Sequence, residues 1–315
     1  MAPRLKLLRV TAVLGRGNLT ETLVGDVDDV RQGGTRRSAV IKRLHPSLAD
    51  NKGAVRRVAE EARVLARLSH PRIPAFVGVG DDDGLPFFAQ EQVDGIPLPA
   101  GLSVSWQETV AILLDIAGAL ATAHALGVVH RDLSRRNVLL DRHGRVHLID
   151  FGVARADDRP QVTRTGAIIG TPSAMAPEQG LGEAATAAAD VWAWGALGYA
   201  LVTGRHPLGI TADDSPVERL RKVRVIQIHP LASRAAPPAL EQLLMACLQR
   251  APSRRPPNGN ALVEELTRLP VAPVELVVAR AHLGRRAADW LAMATSVSGL
   301  AGGTATGTAT DTVDD

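Results

Sequence analysis

The hydrophobic period of this chain changes along its length, and the change divides it in two. Between Arg9 and Gln90 apolar and polar residues mostly alternate in short runs broken by glycine and aspartate, as in Thr22-Leu23-Val24-Gly25-Asp26-Val27. Beyond Val93 the apolar residues recur instead at three- and four-residue steps. A period of two marks a half-buried strand and one of 3.6 a helix laid on a core. Such a chain builds a sheet first and a helical body second, which is an α+β arrangement of two lobes.

The first part predicts three strands from Arg9 to Leu44, the third centred on Ala39-Val40-Ile41-Lys42 after the polar stretch Arg31 to Arg37. Asp50 or Asn51 can cap one intervening helix, with Val55, Val58, Ala62, Leu65 and Leu68 on its apolar face. Two short strands follow, Ala75 to Val79 and Pro86 to Gln90, and Val93-Asp94-Gly95 interrupts the pattern as a hinge would. Helices are expected over Trp106 to Leu126, Val191 to Leu201, Ala239 to Gln249 and Gly259 to Leu269. A further helix from Val274 to Ala294 leads into a Gly/Ala/Thr tail of a composition that does not bury a core, so disorder is expected there.

Composition excludes several classes. At 315 residues, 45% hydrophobic and 22% charged, the chain has material for a substantial core. The net charge of +3 is spread along it with no basic block, so no nucleic-acid partner is expected. The lone cysteine, Cys247, falls in an apolar helical pattern and reads as core, not as a redox group. Met1 to Leu8 are not followed by the apolar stretch and cleavage site of a secretory signal. No segment is read as a membrane span, the nearest being the short, Thr- and Ser-containing Trp290 to Leu300. A cytoplasmic protein with no membrane partner is the expectation.

The chemistry concentrates in His130-Arg131-Asp132-Leu133-Ser134-Arg135-Arg136-Asn137, followed downstream by Asp150-Phe151-Gly152. Phosphoryl transfer needs an acceptor for the nucleophile's proton, and carboxylate and amide oxygens that hold magnesium against phosphates. Both sets are present. With the five-residue step from Asp132 to Asn137 and the Asp-Phe-Gly beyond, the chain resembles the eukaryotic-type (Hanks-type) protein serine/threonine kinases, in their bacterial branch.

The resemblance implies a bilobal protein-kinase-like fold with an antiparallel β small lobe and a mainly helical large lobe. It covers residues 7–269, with the small lobe at about 7–92 and the large lobe at about 93–269. It implies Asp132 as catalytic base and Asn137 and Asp150 as ligands of Mg2+, with Mn2+ as the alternative ion. Lys42 would contact the ATP phosphates and Glu61 would hold that lysine. Glu60 is the rival for this role, but Leu65, one turn after Glu61, lies on the apolar face. Leu14, Gly15, Gly17, Thr22, Val40, Glu91, Val93 and Leu139 would surround the nucleotide. His130 and Phe151 are read as core beneath the site.

Two further blocks set the chain apart from kinases of small metabolites. Gly170 to Glu178 resembles a protein-substrate docking loop, and Asp190-Val-Trp-Ala-Trp-Gly195 resembles the buried helix under the catalytic loop. Glu178 is expected to pair with Arg255 in a buried structural ion pair. The departures from the family pattern are Thr20 at the third glycine of the loop, Thr22 at its valine, Val40 at the adenine-pocket alanine, Ala174 at the docking-loop tyrosine and Ser134 at the lysine that follows the catalytic aspartate. Arg136 can supply the charge that Ser134 cannot. Arg131 would pair with a phosphorylated activation segment, with Thr163 or Thr165 as the modified residue. The reading is an ATP-dependent kinase of unnamed protein substrates, with homodimerisation suggested by analogy alone. A pseudokinase acting as a binding module and a small-molecule phosphotransferase are the alternatives.

Overall fold

The computed structural model describes residues 2–29, 36–152, 175–211, 213–231 and 236–301, with side chains in the last helix described as far as Met293. Thr163 and Thr165, Ala174 and the expected disordered tail from residue 302 lie outside them.

The first lobe is a five-stranded barrel. Strands β1 (Arg4–Arg16), β2 (Thr20–Asp29), β3 (Arg37–Leu44), β4 (Phe76–Asp82) and β5 (Leu85–Glu91) close in the order β1-β2-β3-β5-β4. Four pairings are antiparallel, as expected, but the seam joining Arg4 and Leu5 to Val79 and Gly80 is parallel. That seam closes the sheet into a barrel. The alternation sorts the residues: Leu5, Leu23, Val27, Ala39, Ile41, Val77, Phe87 and Ala89 fill one core cluster inside the barrel. Val40 and Lys42, between them in sequence, face the other way.

Helix α1 (Lys52–Leu65) is capped by Asn51, whose side-chain oxygen accepts from the Ala54 amide at 3.0 Å. Its buried face carries Ala54, Val58, Glu61, Ala62 and Leu65. A carboxylate thus stands in an otherwise apolar stripe, turned into the molecule.

The second lobe is built on α2 (Trp106–Ala125) and α4 (Ala187–Thr203). Around them lie α3 (Pro177–Gly180), α5 (Pro216–Val225), α6 (Pro238–Cys247), α7 (Gly259–Thr267) and α8 (Pro273–Ala301), with a small sheet of β6 (Gly95–Pro97), β7 (Val138–Asp141) and β8 (Val146–Leu148). Ser105 and Glu108 form a capping box at the start of α2. By length and apolarity α2 could cross a membrane, which the sequence reading had not credited, but 67% of its apolar window is buried inside the protein. It is the core helix of the lobe. Trp192 and Trp194 of α4 are fully buried, and Trp194 Nε1 donates to Leu113 O of α2 at 3.1 Å. Gly198 permits this packing, since a Cβ there would lie 2.5 Å from Leu244 and 2.9 Å from Leu113. Cys247 is fully buried, as expected.

The sequence reading missed α5 because its face gives little signal: only Val223 is buried, while Val217 and Val225 are exposed. Helix α8 is longer than expected and is bound into the lobe. Arg280 grips the buried Asp115 of α2 with two hydrogen bonds of 2.8 and 2.9 Å. The same carboxylate takes Arg72 Nε at 3.1 Å and the Val146 amide at 3.1 Å. One buried anion therefore ties together α2, α8, β8 and the segment between α1 and β4.

Candidate active site

Strand β3 delivers Lys42 to the face away from the barrel core, opposite Thr22 of β2 and Phe88 of β5. Its Nζ lies 3.0 Å from Glu61 Oε1 and 3.0 Å from Asp150 Oδ1. Three residues from β3, α1 and the segment after β8 thus meet at one ammonium group. Glu60, the rival, is turned outward and pairs with Arg56 at 2.8 Å.

Burial by itself would lower the Lys42 pKa, but Asp150 and Glu61 outweigh it and raise it above the ordinary lysine value. Burial pushes the Glu61 carboxyl upward, and the neighbouring ammonium opposes this. With two carboxylates holding Lys42 protonated at this distance, the ionised Lys42–Glu61 pair is the form that fits. Asp150 keeps 43% of its side chain exposed, so its carboxylate also remains open to solvent on one side.

The catalytic-type loop is held from beneath. Asp190 at the start of α4 is 1% exposed, and its two oxygens accept from the backbone amides of His130 at 2.6 Å and Arg131 at 2.8 Å. Its Oδ2 also meets His124 Nε2 at 2.9 Å. These bonds fix Arg131 at φ 66°, a left-handed conformation unfavourable to a side chain of this kind, and Asp150 stands similarly at φ 59°. His130 is fully buried with its ring centroid 4.6 Å from that of Phe151. His130 Nε2 faces Ile149 O at 3.0 Å, and the Asp132 amide donates to Nδ1 at 3.3 Å. One ring proton, on Nε2, satisfies both contacts, and burial lowers the ring's pKa. Both residues do the structural work expected of them.

Asn137 Nδ2 donates to Asp132 O at 2.8 Å and more weakly to its Oδ2 at 3.4 Å. That orientation leaves Asn137 Oδ1 available to a cation. Among the described residues no cluster of three or more His, Cys, Asp or Glu forms a metal cage. Asn137 and Asp150 supply the one or two protein ligands with which magnesium binds when phosphate oxygens and water complete its shell.

The expected nucleotide-binding residues are distributed unevenly. Thr22, Val40 and Lys42 share one face of the sheet, with Gly15 opposite Thr22. Leu14 is 60% exposed at the end of β1. Val93 and Leu139 are half-buried, on the hinge and on β7 respectively. Glu91 is different, since ladder parity puts its side chain on the opposite face from Lys42, where its carboxylate accepts from the Ala75 amide at 3.3 Å. Only its backbone is placed for a nucleotide. Gln90, which the sequence reading passed over, faces the Lys42 side and is 8% exposed. Strand parity counted back from Lys42 and Phe88 would have found it.

The altered loop is a tight turn in which the Gly17 amide donates to Thr20 O at 2.9 Å. Thr20 already belongs to β2, so an extended residue suits it and no left-handed backbone is demanded. At Gly15 an added Cβ would meet nothing within 4 Å, so the chain itself does not crowd it. Ser134 is 9% exposed and its hydroxyl lacks a hydrogen-bond partner among the described residues. Arg136 is exposed on the turn Arg135–Asn137 and joins no part of the Lys42 cluster. Glu178 and Arg255 form the expected buried pair, with two bonds of 2.7 and 2.8 Å.

Residues 8–266 match the family model described as the protein kinase domain. The chain is 33% identical over 276 residues to the serine/threonine-protein kinase pkn3 of Myxococcus xanthus, covering 82% of this chain and 49% of that one. It is 34% identical over 258 residues to the serine/threonine-protein kinase PknD of Mycobacterium tuberculosis, covering 79% of this chain and 37% of that one. The chain thus spans half or less of these two relatives. Among solved structures, the Mycobacterium tuberculosis PknI kinase domain superposes with a TM-score of 0.55 at 26% identity, covering 82% of this chain and 94% of that one.

Proposed function

We propose that this chain, which belongs to the protein kinase family, transfers the γ-phosphoryl group of ATP to serine or threonine hydroxyls of protein substrates. The observation that carries the reading is the joining of Lys42, Glu61 and Asp150 at 3.0 Å, next to a loop that holds Asp132 and Asn137 together. Lys42 remains cationic and would hold the phosphates, while Glu61 fixes where that charge stands. Asn137 Oδ1 and the open side of Asp150 would hold Mg2+, or Mn2+ in its place, which neutralises charge on the phosphates when bound. Asp132 accepts the proton of the incoming hydroxyl as the oxygen attacks phosphorus.

Arg136, exposed one residue before Asn137, would meet the transferred group in place of Ser134. Thr22, Val40, Gln90, Leu139 and the backbone at Glu91 and Val93 would enclose the base. We place the protein in the cytoplasm, in signalling, with protein substrates and without nucleic-acid or membrane partners, on the charge and hydropathy pattern of the sequence. Incubation with labelled ATP and magnesium, followed by phosphoamino-acid analysis, tests the reading. Label on serine or threonine supports it. Label confined to a metabolite, or nucleotide binding with no transfer at all, would replace it by one of the two alternatives.

A further inference from the structure

A cavity of about 740 Å³ opens between the catalytic-type loop, the segment before α2, α4 and the segment after it. Its floor includes Ala193, Leu197 and Ile210, all buried and apolar. Its lining includes Arg135, Arg136, Arg205 and Arg219 and, among the described residues, no aspartate or glutamate. Arg135, Arg136 and Arg205 are exposed and have no carboxylate partner among the described residues. Arg219 is half-buried, with one guanidinium nitrogen donating to Thr211 O at 3.2 Å. In the interior, by contrast, Arg255 is matched by Glu178 and Arg280 by Asp115.

The place of the groove identifies its occupant. Ser134 lines it two residues after Asp132, and Arg136 lines it one residue before Asn137. A peptide presenting its hydroxyl to Asp132 therefore passes the mouth of the groove within a few residues, since an extended chain advances about 3.3 Å per residue. The exposed guanidinium groups of Arg135, Arg136 and Arg205 over an apolar floor complement a segment that carries Asp or Glu beside an apolar side chain, and they repel Lys and Arg.

We infer that this groove selects protein substrates with an acidic segment and an apolar anchor within a few residues of the phosphorylated hydroxyl. The inference rests on the kinase reading for the identity of the occupant, but the groove can be probed without turnover. Two labelled peptides with the same threonine and the same leucine anchor, flanked by Asp and Glu in one and by Lys and Arg in the other, are titrated against the full chain by fluorescence anisotropy. The wild-type chain should bind the acidic peptide at least about tenfold more tightly, and the exposed-site double variant R135E/R205E should lose or reverse that preference. Equal affinities, tighter binding of the basic peptide, no binding of either, or a preference unchanged in the double variant would overturn the inference. Label transfer to the same peptides is read separately. Binding preference without transfer to either peptide removes the kinase reading and leaves the acid-selective groove. Transfer that ignores the flanking charge does the reverse.

Discussion

Lys42 Nζ stands 3.0 Å from Glu61 Oε1, across the gap between strand β3 and helix α1. The glutamate is 3% exposed and has no equivalent on the outer face of its helix, where Glu60 meets solvent and Arg56. Glu61→Gln should therefore lower kcat/KM for ATP by about 100-fold through misplacement of the lysine. Glu60→Gln should leave it within about twofold, as an exposed helix pair contributes little. Steady-state kinetics with ATP varied checks both.

His130 provides a pH dependence with a definite sign. Burial lowers its pKa from 6.5 in the folded protein, and burial lowers that of His70 as well. Below pH 6.5 the unfolded chain takes up protons that the folded chain refuses, so stability falls with acidification, with a slope of up to about 1.4 kcal/mol per pH unit for each such histidine. Glu21, held low by its hydrogen bond to Arg43, adds a loss only as pH falls below about 4.5, the ordinary glutamate value. Urea unfolding between pH 7.5 and 5.5 should show the histidine slope, and His130→Phe should reduce it.

Arg255 is the buried cation of the large lobe, sitting 5.1 Å from the Trp192 ring and bonded to Glu178 and to the carbonyls of Ala188, Gln249 and Arg250. Arg255→Met leaves Glu178 charged and unmatched and should cost about 3–5 kcal/mol. The double change Arg255→Met with Glu178→Leu should recover part of that loss. Chemical denaturation of the three proteins decides it.

Helix α8 touches the β7–β8 turn at Gly144, which has φ 71° and where a Cβ would lie 1.8 Å from Arg280 O. Gly144→Ala should push α8 away and break the Arg280–Asp115 bonds, destabilising the protein by about 2 kcal/mol or more. Hydrogen exchange should then rise along α8 and in the Arg72 segment, which shares Asp115.

Much of this was legible in the sequence because the period of each segment matched its surroundings. Val55 through Leu68 showed a helical stripe with Glu61 aimed at the cleft, although the structure buries Ala54 in place of Val55, and the Asp132, Asn137 and Asp150 spacing carried the family resemblance without coordinates. What remained hidden depends on contacts between segments distant in sequence. The parallel seam at Leu5 and Gly80 leaves no local pattern, and neither does Asp115 binding an arginine 165 residues away. Glu91 and Gln90 exchanged importance because strand parity, set by pairing with β3, decides which side chain faces Lys42. Helix α5 escaped because its burial rests on one valine. The threonine in the glycine loop was harder to judge from sequence than from structure, where Thr20 is an ordinary strand residue.

Phosphoryl transfer through Lys42, Asp132, Asn137 and Asp150 is the proposed reaction. It is tested most directly by label transfer from ATP with magnesium, comparing the full chain with Asp132→Asn and Lys42→Met, on itself and on protein substrates of both charges. Label on serine or threonine should appear with the unaltered chain and fall by at least about 100-fold in both variants. Equal labelling in the variants, or none in the unaltered chain while nucleotide still shifts its melting temperature, would contradict it.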